Sequence, residues 1–239
     1  MDFNYAEEEQ AIADLTAQIL GDKVTHERLR ELSNEGRHLD QDVWELLAGA
    51  GIVGAALPAE HGGSGLGYLA VTAAIEHVGR YAALVPMLES VVMAGLPIAE
   101  FGDERQRAAH LPDIASGELI ATAALVEGPG VRVDADGALT GSVGMVPYGM
   151  EATLVLIPTD DGVHLLDTSA PGLDRTARQT TTGHPQAMLT LHAVRGDRLG
   201  TAAAAEILSW IRLRVDAAIC STLAGACHAA LDLAADYAK

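Results

Sequence analysis

Apolar residues in the first half of the chain recur at helical spacing. Ile12, Leu15 and Ile19 form one stripe, and a second apolar stripe covers residues 69–78. Side chains three and four positions apart share one face of an α-helix, so each stripe predicts a helix with one buried side. The first part of the chain is therefore predicted to be helical.

Capping residues predict where some of these helices begin and end. Asp40 precedes an apolar stripe that should stop near Gly51, and Asp103 precedes an acidic first turn. Aspartate at such a position accepts hydrogen bonds from the free N–H groups of the first turn. Pro97 lies inside the apolar run Met87–Phe101, which predicts a kink or a break there.

The pattern changes near residue 117. Short apolar runs bounded by glycine and aspartate predict β-strands, with turns at residues 136–137 and 161–162. The predicted strands are Leu119–Val126, Thr153–Pro158, Gly162–Asp167 and Ala187–Val194. Helical spacing returns from Ala202 to Lys239. Strands grouped together, without alternating helices, favour an antiparallel sheet over a doubly wound parallel one.

These patterns predict an α+β fold with three parts. They are an N-terminal α-helical domain at 1–117, a small antiparallel β domain at 118–200, and the first helix of a C-terminal helical bundle at 201–239.

The glycine-rich stretch His61–Gly67 raises the question of a phosphate-binding loop. A dinucleotide cradle needs a strand before it, a helix after it and a third glycine at position 68, which is Tyr68. A connector between two helices, in which glycine supplies backbone angles that other residues avoid, explains the stretch better.

Composition and charge exclude several classes of function. The 239 residues carry a net charge of −18, which argues against binding to nucleic acids or anionic membranes and leaves room for a more basic partner. The acidic N-terminus lacks the apolar segment of a signal peptide, so none is expected, and we find no apolar run of the ~18 residues that a membrane helix needs. Cys220 and Cys227 are predicted to be buried and unpaired, which favours a cytoplasmic location.

The histidines and one serine are the candidates for alternative chemistry. The nine histidines are scattered without metal-ligand spacing, so no metal site is predicted. Ser64 lies in a stretch resembling a nucleophile elbow, but Leu66 occupies the place of its last glycine, which disfavours a hydrolase.

Four ordered segments resemble the acyl-CoA dehydrogenase family. The stretch GIVGAALPAEHGGSGLG is similar to the family's N-terminal helical domain, and AIEHVGRYAALVPM is similar to its next helix. The segment FGDERQRAAHLPDIASGELIATAALVE resembles a further helix and the first β-strand, and RVDAAICSTLAGACHAALDLAADYAK resembles the helix that opens the C-terminal bundle. The set, in this order, covers essentially the whole chain.

The resemblance implies a fold and a reaction. Family members place FAD between the β domain and the bundle, across a subunit interface, and dehydrogenate an acyl-CoA at its α and β carbons. A glutamate removes the α-proton while the flavin accepts the β-hydride.

The positions that would meet FAD depart from the family pattern. By position these are Leu125, Val126, Glu127, Met145 and Pro147. Of the family's Thr-Glu-Pro only Glu127 fits, because Val126 replaces the threonine. Met145 stands where the family has a tryptophan that packs on the flavin, and Pro147 replaces a threonine that hydrogen-bonds to it. The resemblance therefore implies FAD held mainly by a partner subunit.

The catalytic base also lacks a counterpart. In most family members it lies in a part of the bundle beyond Lys239, and in a minority near the start of the helix that contains Arg214. Here Leu213 and Val215 are apolar, and Asp216 is the nearby carboxylate. We expect no catalytic residue in this chain, and Asp216 is the alternative candidate.

Two versions of the function follow from the resemblance, in fatty acid or steroid side-chain β-oxidation. The chain is either an active subunit or the degenerate partner in a heterotetramer with a sister subunit. The alternative is a non-catalytic binding or scaffold protein on the same fold.

An apolar stripe on the last helix predicts an oligomer. The stripe consists of Ile211, Ile219, Leu223 and Leu231, and leaving each in water would cost about 1.5–3 kcal/mol. The alternative is that the helix folds back on the first helical domain and covers them.

Overall fold

The computed structural model describes residues 5–125 and 130–239. Within these ranges the helices are α1 (Glu7–Lys23), α2 (His26–Asn34), α3 (Gln41–Gly49), a 3-10 turn (Ala59–His61), α4 (Tyr68–Tyr81), a π-helix (Leu88–Gly95), α5 (Leu96–Phe101), α6 (Glu104–Ala115) and α7 (Ala204–Tyr237). The strands are β1 (Ala121–Ala123), β2 (Val131–Val133), β3 (Ala138–Pro147), β4 (Leu154–Pro158), β5 (Val163–Asp167), β6 (Leu173–Arg178), β7 (Gln186–Arg195) and β8 (Asp197–Arg198).

Both predicted aspartate caps are present. The Asp40 side chain accepts a hydrogen bond from the N–H of Val43 at the start of α3. Asp103 accepts from the N–H of Gln106 over 2.7 Å, and the Gln106 side chain accepts from the N–H of Asp103 over 3.1 Å. This reciprocal pair is a capping box, which satisfies two otherwise free donors at the start of α6.

Pro97 does not break the helical run that contains it. The π-helix Leu88–Gly95 passes directly into α5, and Pro97 lies in the first turn of α5. A π-turn shifts the hydrogen-bond pattern by one residue, and we infer that this accommodates a proline, which lacks the N–H. The predicted change at Pro97 thus takes the form of a change of helix type just before the proline.

The strands form two four-stranded sheets with the orders β1-β4-β5-β8 and β2-β3-β7-β6. The pairs within both sheets are antiparallel except one: β1 runs parallel to β4, with Ala121 opposite Leu154. The predicted antiparallel β domain is confirmed, with this parallel pair as its exception. Since β1 enters directly from the helical domain while β4 follows two intervening strands, nothing local sets their relative direction.

The sequence analysis does not predict strand β3, because its glycine and proline residues are typical of turns. It contains Gly141, Gly144 and Pro147, residues that are rare inside strands. At Gly141, with φ +143°, an added Cβ would overlap the carbonyl oxygen of Gly130, which lies just before the neighbouring strand β2. Glycine is thus required there by the close approach of two backbones.

Helix α7 packs against α4 through two glycines. A Cβ at Gly79 would overlap the carbonyl oxygen of Thr222, and a Cβ at Gly225 would overlap that of Glu76. The two backbones therefore touch, which only glycine allows. Arg80 of α4 pairs with Asp232 of α7 over 2.7 Å and strengthens the contact.

One face of α7 is covered by this packing and the other is not. Ile211 is buried, so its place in the predicted exposed stripe is wrong, because this residue faces the helical domain. Ile219, Leu223 and Leu231 are exposed as predicted. The helix thus folds back along one face and leaves a second apolar face uncovered.

Two further expectations about α7 are wrong. Cys220 and Cys227 are exposed rather than buried, because they project from the uncovered face. The sequence also predicted no segment that is long and apolar enough for a membrane helix, but α7 meets this criterion by length and composition alone. Its apolar 18-residue stretch has a mean hydropathy of 1.4, and 11% of that stretch is buried. The abundance of alanine and leucine in a helix of 34 residues accounts for this.

We predict that Gly225→Ala destabilises the protein. The new methyl group would push α7 away from the Glu76 carbonyl, and overpacking of this kind costs about 1–3 kcal/mol. The free energy of unfolding from a urea titration measures the loss.

Gly49→Ala is the matched control. Gly49 ends α3 and an added Cβ there meets nothing within 4 Å. Alanine is a better helix former than glycine, so this variant should keep or slightly raise the free energy of unfolding. Equal effects of the two substitutions would contradict the close-packing argument.

Candidate functional site

The end of β1 meets the start of α7. Leu125 is half-buried, and its carbonyl oxygen accepts a hydrogen bond from the Arg212 guanidinium over 3.1 Å. Asp216 is exposed one helical turn beyond Arg212, on the same side of α7. The structure thus brings Leu125 and the Asp216 face of α7 to one place. Val126 and Glu127 lie outside the described residues.

The end of β3 is irregular where the other two candidate residues lie. Its pairing with β7 shifts register between Val143 and Val146, and Met145 between them has φ +55°. A left-handed backbone is uncommon for a residue with a side chain, and it turns Met145 out of the ladder, where it is 46% exposed. Pro147 lies opposite Gln186 of β7 and is half-buried.

The hydrogen-bonding capacity of these two positions is small. The Met145 side chain is a thioether with no donor, and Pro147 has neither a side-chain donor nor a backbone N–H. A planar polar ring placed beside the end of β3 would therefore receive no donor from Pro147 and no aromatic stacking from Met145.

The turn of α7 around Arg214 is where the resemblance leads us to expect a candidate base. Leu213 is 70% exposed, and Val215 is half-buried. Between them, the Arg214 guanidinium stacks on the Trp210 ring at 3.4 Å from the ring centroid. The Tyr68 hydroxyl donates to the Arg214 carbonyl, which ties α4 to this turn. A guanidinium has hydrogen-bond donors and no acceptor, so Arg214 offers no acceptor for a substrate proton.

A crevice of ≈350 Å³ opens next to Pro147, between the helical domain and the β domain. Its helical wall is mostly apolar, and its opposite wall is the segment between β6 and β7. The residues that line the crevice include Val78, Leu88, Glu89, Tyr148, His184 and Thr222.

One ion pair crosses this crevice. The Glu89 carboxylate of the π-helix is 4% exposed and lies 3.3 Å from Nε2 of His184. Hydrogen bonding to Glu89 raises the pKa of His184 above its ordinary value. The ring of Tyr148 meets the His184 ring edge-on at 5.4 Å, and burial raises the pKa of Tyr148.

Sequence reasoning missed the Glu89–His184 pair. Glu89 stands alone as an acid in the apolar run 84–99, and a single carboxylate in such a run is a signal that it is buried and partnered. His184 gave no comparable signal. In the described part of the chain, no three histidine, cysteine, aspartate or glutamate side chains are grouped to hold a metal ion.

Comparison with known proteins identifies the family. The pattern of the acyl-CoA dehydrogenase N-terminal domain matches residues 6–118. Acyl-CoA dehydrogenase FadE27 of Mycobacterium tuberculosis is 32% identical over 100% of this chain and 67% of its own length. Acyl-CoA dehydrogenase FadE28 of the same organism is 28% identical over 81% of this chain and 53% of its own length.

Solved structures agree with this assignment. A variant of the Tcur3481–Tcur3483 steroid ACAD is 37% identical, with a TM-score of 0.83 over 93% of this chain and 65% of its own. The ChsE4–ChsE5 complex from Mycobacterium tuberculosis is 30% identical, with a TM-score of 0.91 over 99% of this chain and 68% of its own. The chain thus spans about two thirds of the length of these relatives. Together with the helical domain, the β domain and α7, these similarities show that the chain belongs to the acyl-CoA dehydrogenase family.

Proposed function

We propose that this chain is a subunit of an FAD-dependent acyl-CoA dehydrogenase and that it works together with a sister subunit. In this proposal the sister subunit supplies the catalytic base and most of the contacts to FAD, and the assembly is a heterotetramer. The observation that carries the proposal is the irregular end of β3, where Met145 and Pro147 stand at the flavin-facing positions of the family.

The chemistry of these residues supports a non-catalytic role. The flavin platform and the flavin hydrogen bond of the family need an aromatic ring and a hydroxyl, and Met145 and Pro147 provide neither. Asp216, the acid of this part of α7, is exposed, whereas a general base works best when burial or neighbours tune its pKa. The residues present do not fit FAD as a cofactor bound by this chain alone.

The names of two similar structures support a two-subunit assembly. Tcur3481–Tcur3483 and ChsE4–ChsE5 are each named as a pair of different chains, and the first is named as a steroid enzyme. By this analogy we propose an acyl-CoA substrate from fatty acid or steroid side-chain β-oxidation and a cytoplasmic location. Such an assembly also provides a partner for the exposed face of α7.

We predict that the purified chain binds FAD weakly or not at all. The missing stacking and hydrogen bonds at Met145 and Pro147 remove the contacts that would hold the isoalloxazine ring. Titration of the chain with FAD, followed by quenching of flavin fluorescence, should show no saturation at micromolar concentrations.

Co-expression with the product of a neighbouring acyl-CoA dehydrogenase gene is the companion experiment. A complex that retains flavin absorbance through purification, when neither chain alone retains it, supports the shared site. Stoichiometric FAD on this chain alone would contradict the proposal. A stable pair of chains without flavin or dehydrogenase activity would favour the alternative, a binding or scaffold protein.

We predict that Leu223→Glu weakens association of the chain with itself or with its sister subunit. Leu223 is 58% exposed on the uncovered face of α7, and losing its burial costs about 1.5–3 kcal/mol, or roughly ten- to a hundredfold in Kd. Sedimentation velocity over a concentration series measures the change.

Leu69→Glu is the matched control, because Leu69 is 59% exposed near the start of α4 and away from that face. It should leave the association constant unchanged. A monodisperse monomer near 24.9 kDa for the unmodified chain, alone and with the sister subunit, would show that the α7 face is not an interface.

A further inference from the structure

We propose that Glu89 and His184 form an inter-domain latch, which fastens the segment between β6 and β7 to the helical domain when His184 is protonated and releases it when His184 is neutral. This segment, residues 179–185, is called the β6–β7 loop. The proposal concerns the crevice between the two domains and stands independently of the proposed function.

The latch has one member in each domain. Glu89 belongs to the first turn of the π-helix, and His184 belongs to the β6–β7 loop. Their side chains meet over 3.3 Å between Oε1 and Nε2. In the described part of the chain, the other hydrogen bonds of the loop run within it or to the adjoining ends of β3 and β7. The ion pair is therefore the polar tie between this loop and the helices.

Because the Glu89 side chain is buried, the strength of its contact with His184 depends on the charge of the His184 ring. The Glu89 side chain is 4% exposed, and a buried carboxylate without a cationic or hydrogen-bonding partner is costly. His184 is half-exposed, so it can exchange its proton with solvent without unfolding of the domain. Protonated His184 compensates the buried charge, whereas neutral His184 offers at most a hydrogen bond.

The surroundings of the second ring nitrogen of His184, Nδ1, also suit a protonated imidazole. Nδ1 lies 3.2 Å from the amide nitrogen of Gln186, while the Gln186 amide oxygen is buried without a hydrogen-bond partner. Amide nitrogen and oxygen are interchangeable by a 180° flip of the group. After that flip, the oxygen accepts a hydrogen bond from Nδ1–H, and both nitrogens of the imidazolium have acceptors.

Titratable groups from several elements surround His184, and a carboxylate among them also favours the protonated ring. Glu151, which follows β3, is a second carboxylate that raises the pKa of His184. Tyr148 contacts the ring edge-on and stays neutral, because burial raises its pKa. His38 and Arg178 line a second crevice, which they share with His184 and Glu151. In the crevice between the domains, α4 and α7 contribute Val78 and Thr222, which are uncharged.

The direction of the pH dependence follows from linkage. Glu89 raises the pKa of His184 in the folded protein above the unfolded value of about 6.5. Its contribution is therefore complete below pH ~6.5 and is lost as the pH rises through the folded-state pKa. The loop should be fastened at mildly acidic pH and loosened at alkaline pH.

Hydrogen exchange of the full chain tests the latch. The reporters are the N–H of Tyr148, which donates to the Pro185 carbonyl, and the N–H of Gly183, which donates to the Thr180 carbonyl. Their protection factors should fall about two- to fivefold between pH ~6 and pH ~9, the range expected for a partly exposed ion pair. In Glu89→Gln and in His184→Gln this fall should disappear.

His192→Gln is the matched control. His192 lies on β7 of the same domain and is paired with Asp174 over 3.4 Å, but both side chains are exposed. This variant should keep the pH-dependent protection of Tyr148 and Gly183. If Glu89→Gln is too unstable to measure, His184→Gln, which changes the half-exposed partner, tests the same tie.

Titration of the His184 ring by NMR gives a second readout. The His184 pKa should lie above about 6.5 in the unmodified chain and fall toward that value in Glu89→Gln. An unchanged His184 pKa in Glu89→Gln, or pH-dependent protection that persists in His184→Gln, would overturn the latch.

Discussion

The contact between the backbones of α4 and α7 is the constraint on which the rest of the arrangement depends. A helix of 34 residues can rotate about its axis unless something fixes which face turns inward. Gly225 fixes it, because only a residue without a side chain fits against the Glu76 carbonyl. Ile211, Ala218 and Gly225 are buried at intervals of seven residues, which is the spacing of one continuous helix-packing seam.

That choice of face has consequences along the whole of α7. In the first half of the helix, Arg212 reaches the Leu125 carbonyl, so the end of β1 is held against the helix at the edge of the candidate site. On the outer side, Leu223 and Leu231 remain in water, together with both cysteines. A single close contact between two glycine-bearing helices thus shapes the candidate site and also leaves an apolar surface that favours a partner.

The β domain keeps the family architecture around the positions that we propose to have diverged. Pairing of β3 with β7 resumes after the irregularity at Met145, so the sheet is preserved although Met145 and Pro147 offer neither an aromatic ring nor a hydroxyl. A fold tolerates such loss because its stability comes from buried residues such as Val143 and Val146, not from the residues that face a cofactor. The Glu89–His184 pair adds a polar contact at the boundary between this domain and the helices.

The sequence by itself determined most of the helices, both aspartate caps and four of the eight strands in the described residues, because those features depend on neighbours a few residues away. It also led to the prediction that Met145 and Pro147 stand at flavin-facing positions of the family. Only the tertiary structure decided that β1 runs parallel to β4, that Ile211 is buried while Leu223 is not, and that Glu89 meets His184. The partners in each case are distant along the chain, so their contact depends on how whole elements pack, and no local pattern encodes it.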